Sequence, residues 1–203
     1  MTGLKVAMVE RTMSVCRPVF DPTTTRQASQ SAVEMSPQMK RVLRFFDEYV
    51  FGFMRSDIDA AIRGNANYLC ALGLVSYTET LGGLVTGNLA LRKYSGANFR
   101  AFLPYLGAEY QAFKARGIDI YDVVRCGLVH EYFIKGGPPV WTRARGSCGI
   151  ISSPGGPTHF IVEDYRDHFF AGATQYRNDL LGGAKKHLTE NFEKGIKRIG
   201  ISI

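Results

Sequence analysis

The residues best suited to chemistry lie in one short string, Arg125-Cys126-Gly127-Leu128-Val129-His130-Glu131-Tyr132. An arginine offers a permanent charge and a forked set of donors for a phosphate, and an imidazole titrates near neutral pH and can accept or donate a proton. Together they suit cleavage of a phosphodiester. In RNA the 2′-hydroxyl can act as the internal nucleophile, so a base and a cation suffice without a metal.

The spacing within this string indicates how the two side chains could meet. On a straight α-helix five residues turn about 500°, so Arg125 and His130 project roughly 140° apart and do not meet within one copy. One face of the helix is small apart from its histidine and predicts the close approach of a second helix; it consists of Val123, Cys126, Gly127 and His130. If that helix belongs to a two-fold partner, both copies contribute to one composite cleft.

The R-x-x-x-x-H-x-Y pattern, on a helix before a final helical element, resembles the HEPN superfamily. The resemblance implies an α-helical homodimer that acts as a metal-independent endoribonuclease in a toxin or defence system. It implies that Arg125 stabilises the phosphate and the transition state and that His130 is the general acid or base. Tyr132 matches the tyrosine that nucleotidyltransferase antitoxins modify with adenylate, so RNA and such an antitoxin are the expected partners.

One departure from the superfamily pattern leaves other interpretations open. Nuclease members typically carry a polar residue such as Asn or Asp directly after the arginine, where this chain has Cys126. The alternative is a non-catalytic HEPN-like module that binds a nucleotide, an RNA or a protein partner, and a third class is a plain helical interaction protein. In a purely structural role, Arg125 would pair with Asp122 or Glu131, and His130 would be a core histidine.

Four residues accompany this pair as accessory or regulatory candidates: Tyr132, Cys126, Glu131 and Glu79. Glu79 is included because it interrupts an apolar helix and could face the cleft. Its alternative is a solvent-facing or hydrogen-bonded carboxylate. No metal and no cofactor are expected, since Asp164 and His168 at i, i+4 lack a further predictable ligand.

The composition limits the class of protein that can carry such a site. Of 203 residues, 45% are hydrophobic and 13 are Phe, which excludes a disordered or fibrous chain. A formal net charge of +7 raises the expectation of a polyanionic partner such as RNA. The most apolar stretch, residues 68–91, is broken by Glu79 and several glycines, and the N-terminus lacks the apolar block of a signal peptide. We therefore expect no membrane partner and a cytoplasmic location.

The chain is expected to build one core. Residues 1–36 are rich in Thr, Ser and Gln and lack periodicity, which is typical of a loosely attached N-terminal arm. Residues 37–203 form the predicted HEPN-like domain, with a hairpin insertion at about 138–162. The expected fold is mainly α, an antiparallel helical bundle with a small β-hairpin inserted before the C-terminal helix.

Helical periodicity places the motif within this bundle. Ser36-Pro37 predicts the start of a long helix that ends near Gly64. Further helices are predicted over residues 65–86, 97–116 and 118–132, and the last of these carries the motif. Two strands, over residues 140–152 and 158–162, are predicted to form the hairpin, and a helix with an acidic first turn follows them.

Overall fold

Helices make up most of the computed structural model, which describes residues 35–131, 134–135, 140–141, 146, 148–152, 158–183, 185–201 and 203. The predicted class is confirmed: the protein is mainly α, and a small sheet precedes its C-terminal helices. The described residues from 35 onwards belong to one compact unit. The predicted N-terminal arm lies outside the described residues except for its last two positions, and Tyr132 also lies outside them.

The first helix begins where the sequence predicts. The Ser36 hydroxyl accepts a hydrogen bond from the Met39 amide (3.2 Å), and Pro37 occupies the first turn. The helix continues to Arg63 in three parts: α1 (Pro37–Phe45), a first π-helical segment (Phe46–Met54) and α2 (Arg55–Arg63). A π-helix closes i→i+5 hydrogen bonds, so its turn is wider than the α-helical turn that periodicity predicted.

The remaining helices are α3 (Asn67–Thr86), α4 (Ser95–Leu106), α5 (Ala108–Ala115), a second π-helical segment (Tyr121–Glu131), α6 (Val162–Leu181) and α7 (Lys186–Ile199), with a 3-10 turn at Arg92–Tyr94. The single helix predicted over residues 97–116 is wrong, because Gly107 adopts a φ of 130° and separates α4 from α5. Glycine reaches this conformation without the steric cost of a side chain.

Helix α3 is the central element of the bundle, since it packs against α2, α4, α6, α7 and the second π-helical segment. Its closest approach is to α4, where a Cβ built on Gly82 would lie 1.7 Å from the carbonyl oxygen of Asn98. By length and composition alone α3 could also cross a membrane, but a helix in the core of a bundle passes the same test, and half of its apolar stretch is buried.

Three short strands, β1 (Val140–Trp141), β2 (Ile150–Ser152) and β3 (Thr158–Ile161), form the sheet. The predicted hairpin corresponds to β2 and β3, which are antiparallel with Ile150 opposite Phe160. The prediction of one strand over residues 140–152 is wrong, because β1 pairs in parallel on the other side of β3. Two helices, α6 and α7, follow the sheet instead of one.

Buried aromatic side chains from most of these elements form the core. The Tyr165 hydroxyl forms a 2.9 Å hydrogen bond with the Thr78 hydroxyl of α3, and burial raises the pKa of Tyr165. The largest fully buried side chains are Tyr110, Tyr165, Tyr176, Phe45, Phe46, Phe99, Phe102, Phe113, Phe160, Phe169 and Phe192. This core fixes the positions of α3 and α4. The second π-helical segment, which carries the motif and is called the motif segment below, packs against these two helices.

Candidate active site

The predicted motif lies on the second π-helical segment, whose beginning is attached to α4. One oxygen of the Asp119 carboxylate accepts a hydrogen bond from the Tyr121 amide (3.1 Å), and the other pairs with the Arg100 guanidinium of α4. The Tyr121 ring packs against Phe99, with ring centroids 5.8 Å apart. These contacts fix where the segment starts and which side of it faces the bundle.

The π-helical geometry changes the relation between Arg125 and His130. The expected separation of roughly 140° assumes an α-helical turn. In a ladder of i→i+5 hydrogen bonds, residues five apart lie about one turn apart along the segment, so the expected separation does not apply to it. Arg125 is turned toward α3 and largely buried, whereas His130 is exposed.

Arg125 is held in place by α3. Its Nε donates to Oε2 of Glu79 at 2.6 Å, and the two side chains are only 17% and 18% exposed. The guanidinium also lies 5.6 Å from the ring centroid of Tyr121. Glu79 is thus the hydrogen-bonded carboxylate that the sequence offered as one alternative, and its partner is the motif arginine.

The acids near Arg125 in sequence make other contacts. Asp122 accepts a hydrogen bond from Nζ of Lys135 (2.8 Å), and Glu131 is exposed without a hydrogen bond or ion pair to any other described residue. The alternative interpretation, in which Arg125 pairs with Asp122 or Glu131, therefore named the wrong partners, although Arg125 does form a partly buried ion pair. Arg125 pairs with Glu79 on a different helix and not with an acid of its own segment. The Glu79 carboxylate is less exposed to water than that of Asp122, so its attraction to the guanidinium is stronger.

His130 lies on the exposed side of the segment, so the interpretation of it as a core histidine is wrong. Its imidazole makes no hydrogen bond or ion pair with another described residue. The neighbouring Val129 side chain is 39% exposed. The imidazole is accessible to a ligand, as a general acid or base requires.

The predicted small face of the motif is only partly covered by its own chain. Gly127 is buried, as are Val124 and Leu128 beside it, whereas Val123 and Cys126 are partly exposed and His130 is exposed. Cys126 is partly buried. Burial of Tyr121 raises the pKa of its hydroxyl, and a hydrogen bond with the Cys126 thiol raises it further. The segment's outward residues are Asp122, Val129, His130 and Glu131.

A cavity of about 430 Å³ lies beside the ion pair of Arg125 and Glu79, between α3, residues 89–92, the start of α4 and the motif segment. Its polar lining includes Ser76, Glu79, Thr80, Arg92, Ser95 and Arg125. Sequence reasoning found only Glu79 and Arg125 of this set. The other residues have ordinary surface spacing, and only the docking of separate elements brings them together.

No group of three or more His, Cys, Asp or Glu that could hold a metal occurs in the described part of the chain. Asp164 and His168, the pair considered as metal ligands from the sequence, make hydrogen bonds within the protein. Asp164 accepts a hydrogen bond from the Gly146 amide (2.5 Å), and Nδ1 of His168 forms one with the Tyr110 hydroxyl (2.9 Å). These contacts join α6 to α5 and to the chain that precedes β2.

Comparison with known proteins gives no relative: no family model, no curated protein and no solved structure matches this chain. The HEPN resemblance therefore stays a prediction that rests on residues 125–132. The toxin role rests on the same resemblance and the nucleotidyltransferase antitoxin on Tyr132, and both stay predictions. The contacts of Arg125, His130 and the adjoining cavity are the basis for a functional proposal.

Proposed function

We propose that this protein is a metal-independent endoribonuclease of HEPN type in which Arg125 and His130 act on the scissile phosphate. One observation carries the proposal. A guanidinium fixed by Glu79 and an exposed imidazole, without a partner among the described residues, lie on one π-helical segment with i→i+5 spacing. A positioned cation and an accessible base are the two groups that transfer of a phosphodiester to a 2′-hydroxyl requires.

In the proposed reaction, His130 takes the proton of the 2′-hydroxyl as its oxygen attacks the adjacent phosphorus. The O2′–P bond forms while the P–O5′ bond breaks, which leaves a 2′,3′-cyclic phosphate and a 5′-hydroxyl. The departing 5′-oxygen takes its proton from a second histidine, supplied by the other copy in a homodimer. Arg125 stabilises the charge on the non-bridging oxygens, and Glu79 is a positioning residue.

A second candidate is a non-catalytic module that binds RNA or a nucleotide through the same surface. Glu79 offsets the charge of Arg125 within a partly buried pair, which weakens the attraction of the guanidinium for a transition-state charge. Cys126 also favours the non-catalytic module, because nuclease members carry a polar side chain at this position. Binding needs only the residual positive charge, whereas catalysis needs the guanidinium at the reacting phosphate.

Cleavage of a single-stranded RNA in the presence of EDTA tests the proposal. We expect cleavage of RNA but not of the matching DNA, because only RNA carries the 2′-hydroxyl. His130→Ala should slow the reaction by roughly 10²-fold to 10⁴-fold, and Arg125→Ala by a comparable factor. His187→Ala, which alters an exposed histidine on α7, is the matched control and should not change the rate. Intact RNA after prolonged incubation with the purified protein would contradict the enzyme and favour the binding module.

A further inference from the structure

The cavity beside the motif contains a second arginine, and the two arginines differ in their pairing. Arg125 is bound to Glu79, whereas Arg92 is exposed and makes no hydrogen bond or ion pair with another described residue. The lining thus contains one carboxylate and two guanidinium groups. The cavity lining carries an excess of positive charge, which favours an anionic ligand.

Hydroxyl groups in the same lining add neutral donors. The Ser76 and Ser95 hydroxyls have no hydrogen-bond partner within the described ranges, and both side chains are partly exposed. The Thr80 hydroxyl already donates to the Ser76 carbonyl (3.0 Å). Two guanidinium groups and two unused hydroxyls are a donor set that matches the oxygens of a phosphate, which only accept hydrogen bonds.

The turn that forms one side of the cavity is fixed by contacts to other elements. Nη1 of Arg198, on α7, donates to the carbonyls of Gly87 (2.8 Å) and Leu89 (3.0 Å). Nδ2 of the buried Asn98 donates to the Asn88 carbonyl (3.2 Å). A lining that is ordered before a ligand arrives loses less conformational entropy on binding.

We propose that this cavity binds a phosphate-bearing nucleotide unit of the RNA strand next to the scissile phosphate, with Arg92 as the principal phosphate ligand. Sites for small molecules span roughly 300 to 1,000 Å³, and the cavity's 430 Å³ falls within that range. The inference rests on the proposed function in taking RNA as the ligand. It also assigns the substrate class, single-stranded RNA held by its backbone, because phosphate contacts position a strand without specifying its sequence.

Binding of a short single-stranded RNA with 2′-O-methyl groups throughout tests the inference, because this probe cannot be cleaved through its 2′-oxygen. Arg92→Ala should weaken its affinity roughly tenfold or more, as expected for a lost charged hydrogen bond. The slope of log affinity against log salt should fall by about 0.7, the value for one phosphate contact on a single strand.

Lys93→Ala is the matched control, since it removes the same charge one residue away and Lys93 is not part of the cavity lining. We expect its affinity and its salt slope to stay close to those of the unmodified chain. Equal losses for Arg92→Ala and Lys93→Ala would overturn the assignment, because the effect would then be that of general surface charge.

A second variant and a competition experiment test the phosphate directly. Ser95→Asp introduces a carboxylate into the cavity at the first residue of α4, where a negative charge stabilises a helix, so the fold should be kept. Its affinity for the probe should drop roughly tenfold or more by repulsion. AMP should displace the probe while adenosine does not; equal displacement by both would overturn the phosphate assignment.

These experiments separate the cavity from the catalytic proposal. Binding that depends on Arg92, without cleavage of unmodified RNA, would support the cavity and contradict the endoribonuclease. Cleavage that depends on His130, with binding insensitive to Arg92→Ala, would support the endoribonuclease and overturn the cavity assignment.

Discussion

The ion pair of Glu79 and Arg125 is the residue-scale contact on which the candidate site depends. It joins positions 46 apart in the sequence and lies mostly out of water. A pair in such surroundings is costly to break from one side, because the remaining charge stays desolvated without its counter-ion. The same contact fixes the guanidinium and lowers the charge that it can offer to a phosphate.

Glu79→Gln separates these two effects, since it keeps the shape of the side chain and removes the charge. We expect the free energy of unfolding to fall by about 1 to 3 kcal/mol, because Arg125 loses its counter-ion. Affinity for the 2′-O-methyl RNA should rise, because the guanidinium is no longer offset. Urea unfolding and equilibrium binding measure the two changes.

Glu190→Gln is the control for this substitution. Glu190 is an exposed glutamate of α7 whose oxygen lies 3.8 Å from Nζ of Lys186. An exposed pair of this kind contributes little, so the free energy of unfolding should change by no more than about 0.5 kcal/mol. Equal stability of the Glu79 and Glu190 variants would contradict a stabilising pair at Arg125.

The sequence predicted the residues of this contact without predicting the contact. Glu79 stood out because a charge interrupts an apolar helix, and Arg125 because of its spacing from His130. Their pairing depends on how the motif segment docks on α3, and no local pattern encodes that. Arg92 and the serines of the cavity gave no signal, because polar residues at those spacings are typical of any exposed surface.

At the scale of elements, sequence periodicity predicted where helices lie more accurately than it predicted their geometry. The long helix over residues 37–64 and the motif helix both exist, but each contains a π-helical segment. Apolar positions recurring every three or four residues indicate a helix with one buried side, and over nine to eleven residues they do not separate an α-turn from a slightly wider one. The sequence did not predict β1 as a separate strand, because its two residues are too few to show an alternation of apolar and polar side chains.

The contact of α3 with α4 provides an element-scale prediction. Gly82→Ala would place a Cβ 1.7 Å from the Asn98 carbonyl oxygen, and a backbone atom can yield only if α4 moves. We expect the free energy of unfolding to fall by about 3 kcal/mol or more, as for a severe overpacking change in a core. Urea denaturation measures the difference.

Gly64→Ala is the comparison for this change. Gly64 follows α2 with a φ of −78°, and its added Cβ would lie 3.4 Å from the Ala60 carbonyl oxygen. Such surroundings accept a methyl group, so the change should stay within about 1 kcal/mol. Similar effects at both glycines would mean that α3 and α4 are not in close backbone contact.

At the scale of the whole molecule, the question is whether one copy or two form the reactive site. Because Gly127 is buried in its own chain, a second copy would have to contact the outward residues of the segment. This surface contains His130 and the half-exposed Val129. A two-fold contact there would place two imidazoles near one axis, as the proposed transfer of the second proton requires.

Mixing the unmodified chain with an inactive double variant tests the composite site. Unmodified dimers and Arg125→Ala/His130→Ala dimers, allowed to exchange subunits in equal amounts, should retain about a quarter of the activity of the same total amount of unmodified chain. Only a quarter of the dimers then contain two intact copies, and the mixed half lack the second histidine that the proposed reaction takes from the other copy. RNA cleavage in EDTA is the measurement, and the same mixture before exchange is the control. A mixture that retains half of the activity after exchange would contradict a site shared between copies.

The central position of α3 has a consequence for the lifetime of the site. A helix packed on five other helical segments and on β1 has no local route by which its amides can open, so its hydrogen exchange should require unfolding of the whole protein. Glu79 belongs to this most protected element. The carboxylate that orients Arg125 would stay in place throughout every partial opening of the surface, and heating should abolish the alignment of the arginine only at the temperature where the entire bundle melts.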